Sequence, residues 1–111
     1  GSPAFGGGIT ILSDAKKLEK AGVFSIVLEK VPTALAQKIT SEVNIPTIGI
    51  GAGADCDGQV LVTHDMLGLF EKFKPKFVKR YGQLGKEMKK CYSEYIKEVK
   101  SKKFPLKEHS Y

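Results

Sequence analysis

The chain has 111 residues, is 41% hydrophobic and 27% charged, and carries a formal net charge of +6. That length suits a single domain of ordinary soluble composition, and no apolar stretch is long enough to span a bilayer. The N-terminus lacks a secretory pattern, and Cys56 and Cys91 build no disulfide framework, so a reducing, cytoplasmic setting is expected.

Residues 1–8, Gly-Ser-Pro-Ala-Phe-Gly-Gly-Gly, read as a tag remnant and flexible linker. Ser13 is a candidate N-cap for a helix from about Asp14 to Ala21, stopped by Gly22. Val23 to Glu29 is a nearly unbroken apolar run that ends in a carboxylate, and it predicts a buried strand. Pro32 then opens a helix running to about Val43, with Leu35, Ile39 and Val43 along one face. Pro46 to Ile50 predicts a second buried strand, followed by Gly51-Ala52-Gly53. A short helix is expected across 58–69, and Phe77-Val78 after Pro75 suggests a third short strand. Residues 83–102 predict a long helix, with Leu84, Met88, Cys91, Tyr92, Tyr95, Ile96 and Val99 in one stripe and lysines opposite. Pro105 ends it.

Alternating helices and strands imply a parallel sheet with crossover helices. Three strands are too few to close a barrel or to cover both faces of a parallel sheet, so the series reads as part of a larger α/β fold. Most of the lysines follow Glu71. They interleave with glutamates at helical spacing, as Glu94 with Lys97 and Glu98 with Lys102, which favours a solvated helix face over a nucleic-acid surface.

Glu29 is the one good acid–base candidate. A carboxylate closing a parallel strand stands at the edge where α/β folds bind ligands, although a solvated loop or a helix cap would also explain it. Gly49-Ile50-Gly51-Ala52-Gly53 matches neither the dinucleotide fingerprint nor the P-loop. Asp55, Asp57 and Gly58 lack the spacing and the closing glutamate of a calcium loop. His64 and Asp65 are adjacent, so on a helix they would not face one another as a dyad. No His/Cys group has zinc spacing, and no Ser, Thr or Cys has an evident base partner.

Taken together, in order and spacing, these segments resemble the C-terminal part of the ketopantoate hydroxymethyltransferase family. The resemblance rests on Leu18-Glu19-Lys20-Ala21-Gly22, Ile26-Val27-Leu28-Glu29-Lys30-Val31-Pro32, Ile45-Pro46-Thr47-Ile48-Gly49-Ile50-Gly51-Ala52-Gly53, Asp57-Gly58-Gln59-Val60-Leu61-Val62 with His64-Asp65, Pro75-Lys76-Phe77, and Phe104-Pro105 with Glu108-His109-Ser110. It covers roughly residues 12–111. Each motif alone is weak, but the ordered set is specific.

The resemblance implies a (β/α)8 barrel, of which residues 9–111 would be the C-terminal part: about three parallel strands, crossover helices and a long amphipathic C-terminal helix. It implies transfer of a hydroxymethyl group from 5,10-methylenetetrahydrofolate to 3-methyl-2-oxobutanoate, giving 2-dehydropantoate on the route to pantothenate. A magnesium ion chelates the 2-oxo acid in such enzymes. The family's proton-transferring glutamate matches Glu29, and its apolar substrate contacts match Ile50 and, less closely, Val62. The family's metal-ligating aspartates and a lysine near the substrate carboxylate belong to earlier strands than any seen here. A truncated or isolated fragment is therefore expected, inactive alone, with no cofactor bound and with exposed apolar edges that favour a homo-oligomer. The alternative is a basic binding or self-assembling module with no catalytic role.

Overall fold

The computed structural model describes residues 6–111, with side chains from Thr10 onward. In chain order it contains α1 (Gly6–Lys20), β1 (Ile26–Glu29), α2 (Thr33–Glu42), β2 (Thr47–Ile50), β3 (Gly58–Gln59), α3 (Thr63–Met66) and α4 (Leu84–Lys100), then a single 3₁₀ turn at Lys107–His109. The chain divides into two compact units, one ending at Leu61 and the other beginning at Val62.

The first unit is a three-stranded parallel sheet in the order β1-β2-β3, with α1 leading into β1 and α2 in the connection from β1 to β2. Along β1, Ile26 and Leu28 are buried while Val27 and Glu29 are exposed. On β2, Thr47 and Gly49 are buried and Ile48 and Ile50 are half-buried. This two-residue period gives the sheet one covered face and one open face. The covered face packs into a core with Ala15 of α1 and with Ala36, Ile39 and Val43 of α2 and its C-terminal cap. Ile39 is fully buried.

α1 begins well before the Asp14 start expected from Ser13. Ile11 and Leu12 pack against the same core as Ala15, and that packing continues the helix through Ser13. Gly6–Gly8, read in the sequence as linker, open α1, while residues 1–5 of that segment lie outside the described residues. Lys16 meets Glu42 at 3.5 Å, and the Glu19 carboxylate accepts the Asn44 N–H, so α1 is tied to the end of α2. α2 follows the sequence reading closely, with Pro32 and Val43 as its flanking residues.

The third strand is displaced from the Phe77-Val78 position expected of it. β3 is Gly58–Gln59, pairing with Ile48 and Gly49. Two residues carry no readable periodicity, and β3 is held instead by a side-chain clasp. The Asp57 carboxylate accepts the Thr47 N–H at 2.9 Å and faces the Thr47 hydroxyl at 3.3 Å, while the Asp57 N–H donates to that hydroxyl oxygen at 3.2 Å. Thr47 Oγ1 also lies 2.8 Å from Thr40 Oγ1, whose hydroxyl reaches the Ala36 carbonyl at 2.8 Å. The hydroxyl of a fully buried threonine thereby joins β2, β3 and α2.

In the second unit the helix expected across 58–69 shortens to α3, entered from Val62 and left through Gly68, whose φ of 69° turns the chain out of the helix. Phe77-Val78 sits in a turn, with the Val78 N–H on the Pro75 carbonyl at 3.0 Å. α4 matches its sequence pattern, but its stripe is open: Met88, Tyr92, Tyr95 and Ile96 are all exposed. Glu71 contacts Lys89 of α4 at 2.6 Å, and the Arg80 guanidinium donates to the Phe70 carbonyl at 2.9 Å. The chain after α4 folds back so that Phe104 packs edge-on to Tyr95 and against His109. No helix among the described residues is long and apolar enough to cross a membrane.

Candidate active site

The C-terminal edge of the sheet carries Glu29 and Ile50. They are register partners across β1 and β2, so both side chains stand on the same, open face. Val27 and Ile48 make the row beneath them. The result is a carboxylate at the rim of a small apolar surface, a setting in which a carboxylate can accept a proton from carbon next to a carbonyl.

Glu29 is exposed, and neither ion pair among the described residues involves it: those pairs are Lys16 with Glu42 and Lys89 with Glu71. It is therefore available to a ligand rather than committed to a structural bridge. Its backbone is firmly placed. The next residue, Lys30, has φ of 52°, uncommon for a side chain that size, and its N–H donates to the Ile50 carbonyl at 2.9 Å. This left-handed step ends β1 and turns the chain toward α2.

Val62 belongs to the second unit, where it precedes α3 and its carbonyl accepts the Asp65 and Met66 N–H groups at 3.0 Å each. The structure thus brings Glu29 and Ile50 together and places Val62 only within its own unit. His64 and Asp65 share α3, where neighbouring positions point apart. Asp57, weighed in the sequence as a possible calcium ligand, is engaged with Thr47. The described residues contain no group of three or more His, Cys, Asp or Glu that could hold a metal ion. Sequence reasoning missed the open-face row beneath Glu29; strict alternation would have revealed it, but the run from Val23 to Leu28 is apolar at every position but Ser25.

The family model of ketopantoate hydroxymethyltransferase matches residues 7–107. The chain belongs to the ketopantoate hydroxymethyltransferase family. Among its curated relatives, one from Caldicellulosiruptor bescii is 61% identical over 101 residues, which cover 91% of this chain and 38% of that protein. Relatives from Syntrophus aciditrophicus and Enterococcus faecalis are 57% and 56% identical, each over 91% of this chain and 37% of the relative. All three bear the name 3-methyl-2-oxobutanoate hydroxymethyltransferase. The chain thus spans well under half the length of the hydroxymethyltransferases it matches.

Proposed function

We propose that this chain supplies the base-bearing part of a hydroxymethyltransferase acting on 3-methyl-2-oxobutanoate. The observation that carries the reading is the placement of Glu29, an uncommitted carboxylate on the open face of a parallel sheet, paired with Ile50 at the C-terminal edge. In this reading the Glu29 carboxylate takes the proton from C3 of the 2-oxo acid. Water cleaves the two carbon–nitrogen bonds of the methylene group of 5,10-methylenetetrahydrofolate, releasing tetrahydrofolate and the one-carbon unit as formaldehyde. The carbon nucleophile adds to the formaldehyde carbon, the C=O π bond breaks, and the resulting alkoxide takes up the proton held by Glu29 to give 2-dehydropantoate. Ile50 contacts the apolar end of the substrate. The magnesium ion implied by the resemblance does not fit the described residues, which offer no ligand cluster. This segment contributes the proton transfer and the apolar wall.

The sheet is read as part of a (β/α)8 barrel occupying residues 9–111, because its helices cover one face and leave the carboxylate face open, as the inside of a barrel requires. The experiment exchanges this segment for the matching stretch of the Caldicellulosiruptor bescii relative and measures 2-dehydropantoate formation. The 111-residue chain alone is expected to form none, and the exchanged enzyme to turn over. Glu29→Gln in that enzyme should lower kcat by about a hundredfold or more, the usual contribution of a positioned base. Full activity in the Glu29→Gln enzyme removes the assignment.

A further inference from the structure

The rim above β1 and β2 is locked by a contact that the proton-transfer reading does not use. Gly53 lies in the loop after β2 with φ of 81°. A Cβ built on it would stand 2.6 Å from Cγ2 and 2.7 Å from Oγ1 of Thr33, the first residue of α2. The loop backbone therefore rests on the first turn of the helix at a separation only glycine permits. Gln59 holds the loop from β3, its Nε2 donating to the Gly53 carbonyl at 2.8 Å.

Three residues separate Thr33 from Glu29, and each is constrained. Lys30 is fixed by its left-handed φ and by its bond to the Ile50 carbonyl. Val31 is buried in the core. Pro32 has its φ set by its ring. A displacement at the start of α2 is therefore passed back along a short, stiff link to the carboxylate.

We propose that Gly53 and Thr33 together act as the positioning contact for the Glu29 carboxylate. The missing side chain at position 53 sets how closely the first turn of α2 approaches the sheet edge, and that sets where Glu29 stands over the open face. Both are positioning residues rather than catalytic ones. The proposal rests on the reading of Glu29 as the base.

The test uses the exchanged enzyme and the 111-residue chain in parallel. In the enzyme, Gly53→Ala is expected to lower kcat about ten- to a hundredfold, the cost of misplacing a reacting group by about 1 Å, with the KM for the 2-oxo acid within about threefold. Adding Thr33→Ala removes the two closest atoms, Cγ2 and Oγ1, while keeping the Cβ at 3.0 Å, and should recover at least about fivefold of that loss, because the two changes act on one contact. Recovery stays partial, since alanine at position 53 keeps the unfavourable φ. A Gly53→Ala enzyme with kcat within twofold of the parent, or a double variant no better than the single, overturns the proposal. If the exchanged enzyme is inactive, or indifferent to Glu29→Gln, it is the catalytic reading that fails. Positioning is then decided on the chain itself by amide hydrogen exchange. Gly53→Ala should speed exchange of the Lys30 N–H about tenfold or more while the Ala36 N–H, bonded to the Pro32 carbonyl, stays protected. Should Gly53→Ala not fold, Thr33→Ala alone is expected to speed the same Lys30 exchange, and an unchanged Lys30 rate in every folded variant overturns the proposal.

Discussion

Glu71 shows how a single residue can make this chain sensitive to acid. The Lys89 ammonium that hydrogen-bonds it, aided by the charges of Lys89, Lys86 and Arg80 and opposed by partial burial, holds its carboxyl below the ordinary value of 4.5. A carboxylate whose folded value is depressed stabilises the fold above its unfolded value. That stabilisation is lost as pH falls through the folded one. Glu71→Gln should therefore unfold more readily than the parent near neutral pH, and the difference should shrink as pH drops below about 4.5. Urea unfolding followed from pH 7 to pH 3 reads this directly, and a difference that grows on acidification contradicts it. Neither Glu71 with Lys89 nor Gly53 with Thr33 was legible in the sequence. Each pair joins positions about twenty residues apart, beyond any local pattern. The positions of Glu29 and Ile50 at the ends of β1 and β2 were legible, because each closes an apolar run.

At the scale of elements, the same contrast separates β2 from β3. β2 announces itself as Pro-Thr-Ile-Gly-Ile, whereas β3 is two residues held by the clasp between Asp57 and Thr47. Thr47→Val keeps the shape and removes the hydroxyl that Asp57 and Thr40 share. Leaving those partners unsatisfied should cost about 1–3 kcal/mol in denaturant unfolding. Because the hydroxyl bridges three elements, the Val60 N–H, which donates to the Gly49 carbonyl at 3.0 Å, should lose exchange protection along with stability. A Thr47→Val variant as stable as the parent would show the clasp to be dispensable. α4 was legible in its bounds, since its stripe recurs at helical spacing over several turns. Its exposure was not, because periodicity names a face without saying what covers it.

At the scale of the whole molecule, apolar surface is left open. Phe24 is 88% exposed and Val27 59%, and the α4 stripe adds Tyr92, Tyr95 and Ile96. Each unit thus exposes apolar side chains of the kind that mark association. The 111-residue chain is expected to sediment as a dimer or larger oligomer at micromolar concentration. A monodisperse monomer would count against that expectation. The long α4 and the parallel sheet were both visible in the sequence. The division at Leu61 and Val62 was not, because Val60-Leu61-Val62 reads as one continuous apolar run.

The alternation along β1 carries a consequence for how this segment can change over evolutionary time. Glu29 reaches the open face because it lies an odd number of residues beyond Leu28 and Ile26, which fill the core. Inserting one residue between Ile26 and Leu28, or deleting Val27, would turn the carboxylate into the core and expose a leucine. Substitution at Val27 carries no such inversion. For β1, then, length is the guarded property and composition the negotiable one, so indels should be purged from this strand more strictly than replacements.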